Sequence, residues 1–211
     1  MSAEPGLRER KKEQRRQRIA DTARRLFAER GFERVTVAEV AREANVSEGT
    51  VFNYFPTKED LFYSGMESFE AALVEAVRNR PAGESVLAAF RRYVLDQSGG
   101  VAERAPAIEK AARLVDASPA LQARERALVV EYTAVLAELV AAETGAAADD
   151  IEPRVVAAAL MAAQRELVAQ TRANVAAGLR GPALVRRVKA QGARAFDRLE
   201  AGLRDYGVKP A

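Results

Sequence analysis

Apolar residues recur at three- and four-residue spacing along most of the chain, and no segment alternates strictly as a half-buried strand would. The first clear run is Ile19, Ala20, Ala23, Leu26 and Phe27, which predicts a helix stopped by Gly31 in a left-handed conformation. Thr36 and Glu39 form a T-x-x-E capping box that starts a second helix with Val37, Val40 and Ala41 on one side, ending near Ala44 or Asn45. Asn tolerates positive φ, and Ser47 two residues on is a natural N-cap for a third helix. Two short helices therefore meet across a tight turn.

The third helix carries the candidate chemistry. Val51 and Phe55, four residues apart, can pack with Val46 onto Val40, Ala41 and the first helix. The opposite face then holds Glu48, Gly49, Phe52 and Asn53, with Thr50 and Tyr54 on its flanks. Such a face is too polar for a second core but suits a DNA major groove. Gly49 permits close approach, Asn53 offers a donor and an acceptor to a base edge, and Phe52 can touch a thymine methyl. The hydroxyls of Thr50 and Tyr54, the capped helix start at Thr36, and Lys58 can hold phosphates and fix the register.

Thr57 predicts the start of a fourth helix through Lys58, Glu59 and Asp60, running past Met66 and Phe69 to about Asn79, before Pro81. Further helices are expected from about Glu84 to Gln97, ended by Gly99-Gly100, and from about Ala105 to Val115. Ser118-Pro119 is a cap and first-turn pair for a long helix to about Glu143, and Gly145 to Asp150 reads as a linker. Two helices close the chain. One, about 152–177, has a stripe of Val156, Leu160, Ala163 and Leu167 beside Ala159; the other, about 182–206, has Leu184, Val188, Ala195, Leu199 and Leu203 beside Phe196. These stripes can serve the core of one chain or join two copies as an isologous four-helix interface. An apolar pocket with a few polar groups would draw on Met66, Phe69, Phe90, Tyr93, Tyr132, Met161, Gln164 and Val168, which can equally be simple core. Arg165 and Glu166 are either polar pocket members or a surface pair.

Composition narrows the chemistry. The 211 residues include no Cys and no His, which removes the usual metal ligands, Cys nucleophiles and any Ser-His-Asp triad, and argues against a metal effector. No cofactor is expected. No apolar run reaches bilayer length, so the expectation is a soluble, cytoplasmic protein with no membrane partner. Net charge is only +3, yet Arg8, Arg10, Lys11, Lys12, Arg15, Arg16 and Arg18 face only Glu4, Glu9 and Glu13 among the first eighteen residues. This basic arm is either a solvated tail or a polyanion contact, with Arg15 and Arg18 as its candidate DNA-binding residues.

The run "ADTARRLFAERGFERVTVAEVAREANVSEGTVFNYFPTKEDLF", Ala20 to Phe62, resembles the N-terminal DNA-binding domain of the tetracycline-repressor (TetR) family of bacterial transcriptional regulators. The matching features are Leu26-Phe27, Gly31-Phe32, Thr36, Ala41, Val46-Ser47, Gly49-Thr50, Tyr54-Phe55, Lys58-Glu59 and Leu61. Two positions depart from the usual pattern. Phe52 stands where Tyr is frequent and Asn45 where Gly is frequent. The resemblance implies an all-α protein: a homeodomain-like three-helix DNA-binding domain over 1–62 and a larger helical bundle over 63–211 that binds a small molecule and dimerises. It further implies a homodimer on palindromic double-stranded DNA, and the apolar helical pocket expected above suits a hydrophobic or amphipathic effector such as a drug, an antibiotic or an acyl chain. An enzyme using carboxylates such as Glu131 or Asp149-Asp150, and an architectural helical module, are the other classes open to the sequence.

Overall fold

The computed structural model describes residues 7–203 and 207–208. Glu4 of the basic arm and the expected helix end at Tyr206 lie outside these. The described residues form nine α-helices, one 3-10 turn at Ser98–Gly100, and no strand: α1 (Leu7–Arg30), α2 (Val37–Glu43), α3 (Glu48–Tyr54), α4 (Lys58–Arg78), α5 (Val86–Gln97), α6 (Val101–Ala117), α7 (Pro119–Thr144), α8 (Glu152–Ala176) and α9 (Gly181–Leu203). Contacts group them into two units, one comprising the residues up to Glu67 with Arg113–Glu125, the other Ser68–Ala112 with the residues from Arg126 onward. Helices α4, α6 and α7 each contribute one end to each unit.

In the first unit, Ile19, Ala23, Leu26 and Phe27 of α1 are buried with Val40 and Ala41 of α2, Val51 of α3, and Phe32, Val35 and Phe55. Phe27, Phe32 and Phe62 form an aromatic cluster with ring centroids 5.1–6.2 Å apart. The basic segment is helical from Leu7 on, continuous with α1. Arg, Lys, Glu and Gln are good helix formers, and neither Gly nor Pro interrupts them before Gly31. The boundary expected at residue 62 is not where the contacts divide, and the α6–α7 corner joins this unit. Tyr63 donates from its hydroxyl to the Leu121 carbonyl at 3.0 Å, and Ser118 donates to Glu33 Oε1 at 2.7 Å. Asp60 exchanges hydrogen bonds with Thr57 in a second capping box and accepts from Arg124 Nε at 2.7 Å.

The second unit packs α8 against α9 and α5 against both. Its core includes Leu73, Val77, Phe90, Val94, Leu136, Val140, Val156, Leu160, Met161, Leu184, Val188 and Phe196. Gly192 sets the approach of α9, since a Cβ there would lie 2.7 Å from Leu95 Cδ2 and 3.0 Å from Leu167 Cδ2. Arg80, only 2% exposed, donates to the carbonyls of Val77, Glu84 and Gly207 at 2.8, 2.9 and 2.6 Å and pairs with Glu143 at 2.6 Å.

Several sequence expectations change here. Ser85 caps α5, which begins at Val86, two residues past the approximate start expected at Glu84. α5 ends at Gln97, as expected, just before Gly99-Gly100. The pair lies in a 3-10 turn that leads straight into α6, which is longer than the expected 105–115 segment and contains Pro106. Val156, Leu160 and Leu167 of one stripe and Leu184, Val188 and Phe196 of the other are buried within their own chain. Periodicity identified the apolar faces correctly but could not say that the two faces meet each other.

Candidate nucleic-acid interface

The turn between α2 and α3 is built from local hydrogen bonds. The Thr36 hydroxyl accepts from Glu39 N at 3.2 Å, while Glu39 Oε2 accepts from Thr36 N at 2.8 Å and from the Thr36 hydroxyl at 3.1 Å. The bond from the Thr36 backbone, then the one from its side chain, holds the Glu39 carboxyl below the usual carboxylate range. Asn45 takes φ 54°, the left-handed corner that lets the chain reverse. Ser47 then caps α3, accepting from Thr50 N at 3.1 Å with its hydroxyl 2.8 Å from that of Thr50.

Val51 and Phe55 are sealed inside, at 0% and 1% exposure, which turns the other face of α3 outward. Glu48, Gly49 and Asn53 are exposed on it, Phe52 is 46% exposed, and Thr50 and Tyr54 are half-buried. A Cβ on Gly49 would meet only the Ser47 hydroxyl at 4.0 Å, so nothing within the protein requires glycine there. Lys58 is half-buried with its ammonium 4.2 Å from the Phe32 ring centroid, a cation–π contact that steadies it beside α3. Arg15 and Arg18 are exposed on α1. Arg16, between them, lies over the Phe55 ring at 5.0 Å and reaches Glu67 at 3.6 Å. The Thr36 hydroxyl is used within its capping box, so a phosphate at this corner would meet the free N–H groups of the first turn of α2.

The sequence-predicted pocket residues divide differently. Met66 belongs to the first unit and the rest to the second. Phe90 and Met161 are core residues, with Phe69, Tyr93 and Tyr132 packed against that core. Val168 is 37% exposed and leaves the group, because Leu167 and Thr171 carry the buried face of α8 onward. Arg165 and Glu166 are exposed and pair with each other at 3.3 Å. Gln164 is 6% exposed and donates to the carboxyl of Glu70, a residue of α4 that helical spacing alone did not mark. Glu70 is 1% exposed, and among the described residues its Oε2 has no hydrogen-bond partner. Burial pushes its carboxyl up to about 7, against the smaller opposing effect of Gln164. Tyr93, on α5, is raised by burial and then by the charge of Glu70. Two surface depressions lie elsewhere: one of about 500 Å³ beside Gln14, Arg18 and Arg25, and one of about 510 Å³ beside Glu84, Leu87 and Arg91.

No helix among the described residues is long and apolar enough to cross a membrane, and no cluster of carboxylates there could hold a metal ion. Residues 19–64 match the model of bacterial regulatory proteins of the tetR family, and residues 84–204 match an MftR C-terminal domain. The chain is 32% identical to the HTH-type transcriptional regulator TcmR of Streptomyces glaucescens, over 76% of this chain and 74% of that protein. It is 30% identical to the putative mycofactocin biosynthesis transcriptional regulator MftR of Mycobacterium tuberculosis, over 66% and 70% respectively. Solved structures share the fold: a SmeT–triclosan complex (TM-score 0.57, 17% identity, 93% and 95% of the two chains) and the TetR-family regulator SCO0857 of Streptomyces coelicolor (0.56, 20%, 97% and 100%). With a helix-turn-helix whose outward face is free for DNA and relatives that are regulators rather than enzymes, this chain belongs to the tetR family of bacterial transcriptional regulators.

Proposed function

We propose that the protein is a cytoplasmic repressor that binds a palindromic operator as a homodimer and is released by a small hydrophobic or amphipathic effector. The observation that carries the DNA half of this reading is the outward face of α3. There an exposed Phe52, a polar Asn53 and a glycine unneeded by the fold stand together, backed by the sealed Val51 and Phe55. Asn53 and Phe52 read base edges, Gly49 lets the backbone approach, and Thr50, Tyr54, Lys58, Arg15, Arg18 and the α2 first turn hold phosphates. Glu48, at the start of α3, accepts from a cytosine amino group.

Dimerisation through α8 and α9 is supported by what the monomer leaves uncovered. Ile151 and Val155 are 61% and 58% exposed, and Ala158, Ala162 and Ala169 continue their line along α8 at helical spacing. Small side chains there allow a second helix to approach closely. The effector half rests on the shared helices. An effector bound in the second unit that favours one arrangement of α4 must change operator affinity by the factor by which DNA changes effector affinity.

The test is selection of bound duplexes from a random DNA pool, with the mass of the full chain in solution measured in parallel. A dimer that enriches a palindrome with half-sites about one helical turn apart is expected. A monomer, or a pool without enrichment, would refute the reading.

A further inference from the structure

Among the described residues of the second unit, Glu70 keeps a buried carboxyl oxygen with no hydrogen-bond partner. It projects from α4 into an apolar interior, at 1% exposure, and Gln164 of α8 donates to its carboxyl while Oε2 faces no donor among the described residues. Leaving a buried acceptor unpaired costs about 1–3 kcal/mol, more when the group is charged. The interior nearby is aromatic and soft. Phe69, adjacent to Glu70 on α4, and Tyr93 of α5 are half-buried with ring centroids 5.4 Å apart, and Met161, one turn before Gln164, has three rotatable bonds that let it give way. An acceptor with one open position, near enough to Tyr93 for its charge to raise that phenol, in an interior that holds an aromatic pair, is complementary to a cationic N–H donor.

We propose that Glu70 is the polar anchor of the effector site and that the effector is an apolar molecule carrying a protonated amine. The ammonium donates to Glu70 Oε2, Gln164 holds the carboxylate in place, and Phe69, Tyr93 and Met161 take the apolar body. This deepens the regulator reading and rests on it. Above about pH 7, where Glu70 is ionised, a carboxylate effector would bring like charge to it, and a neutral alcohol would gain one hydrogen bond without the charge.

Calorimetry on the full chain, with decylamine, decanol and decanoate each below its micellar concentration, tests this. Decylamine should bind at least about tenfold more tightly than decanoate, as one charge-assisted hydrogen bond allows. Glu70→Gln should weaken decylamine about tenfold and leave decanol within about twofold. Equal binding of amine and carboxylate, no binding of decylamine, or a Glu70→Gln chain that holds decylamine unchanged would each overturn the proposal. The ligand comparison on the unsubstituted chain stands even if the variant misfolds. DNA selection without any ligand separates the two readings: a palindrome enriched by a chain indifferent to decylamine removes the amine proposal alone, whereas no enrichment removes the regulator reading.

Discussion

Replacing Glu70 by Gln keeps the shape of the side chain and removes its titration, so the effect on stability has a defined pH signature. In the folded chain burial raises the carboxyl from an ordinary 4.5 to about 7. Below about pH 4.5 folded and unfolded chains both hold the proton and Glu70 contributes nothing to the pH dependence. Between about 4.5 and about 7 the unfolded chain has released a proton that the folded chain keeps, so stability falls as pH rises. Above about 7 both forms are ionised and the full penalty applies. At about 1.4 kcal/mol for each tenfold change, the gap corresponds to roughly 3 kcal/mol. Urea unfolding followed by helical circular dichroism, at one protein concentration and several pH values, gives the stability of the variant minus that of the parent chain. That difference should be smallest near pH 5 and rise by up to ~3 kcal/mol by pH 8. Other carboxylates cancel in the difference, and a changed hydrogen bond to Gln164 shifts it equally at every pH. A difference that stays flat from pH 5 to 8 would refute the account of Glu70 as a buried, incompletely partnered acid.

Gly49→Ala should leave thermal stability unchanged or raise it by up to ~1 kcal/mol, because the added methyl meets nothing closer than 4.0 Å and alanine favours helix. Operator affinity, measured by fluorescence anisotropy, should still fall about tenfold; unaltered affinity would mean that the backbone at Gly49 does not approach DNA. Asn53→Ala should lose about 1–3 kcal/mol on the selected operator and relax preference at one base position. Lys58→Ala should weaken binding to all sequences and reduce the salt slope by about 1. Equal losses on operator and random DNA for Asn53→Ala would remove it as a base reader. Arg80→Leu removes the guanidinium that serves the carbonyls of Val77, Glu84 and Gly207 and pairs with Glu143, and a loss of about 3–5 kcal/mol is expected in chemical denaturation; an unchanged midpoint would mean that those bonds add little.

The reader was legible because its determinants are local. The Thr36–Glu39 box, the Asn45 corner, the Ser47 cap and the Val51–Phe55 spacing each act within a few residues, so sequence alone carries them. The second unit was legible as helices but not as an assembly. Its stripes announced that a face is buried without saying against what, and the structure spends most of both on the chain's own core. The contributions of 113–125 to the first unit depend on Tyr63, Asp60 and Glu33 meeting residues 58 to 85 positions away. Gly192 was silent for the same reason, since its need for close approach arises from Leu95 and Leu167 on other helices.

Three buried ionisable groups make the remaining point, because burial alone does not distinguish them. Asp60 is 6% exposed, yet it is closed by Thr57 and Arg124. Arg80 is 2% exposed and closed by three carbonyls and Glu143. Both satisfy the rule that buried polar groups find partners, and each fastens segments distant in sequence. Glu70 is as deeply buried but keeps an oxygen without a donor, in an interior of half-buried aromatics and a flexible methionine. A fold that needed only structural fastening would complete such a group or replace it with an apolar one, since either raises stability. Gly49 follows the same logic on the surface: it forgoes helix propensity where the protein itself has room for a side chain. Each residue is suboptimal for its own chain, and under the functions proposed above each becomes favourable with something bound: DNA against Gly49 and a donor against Glu70. The proposed function thus draws on groups whose requirements the fold leaves open, one in each unit.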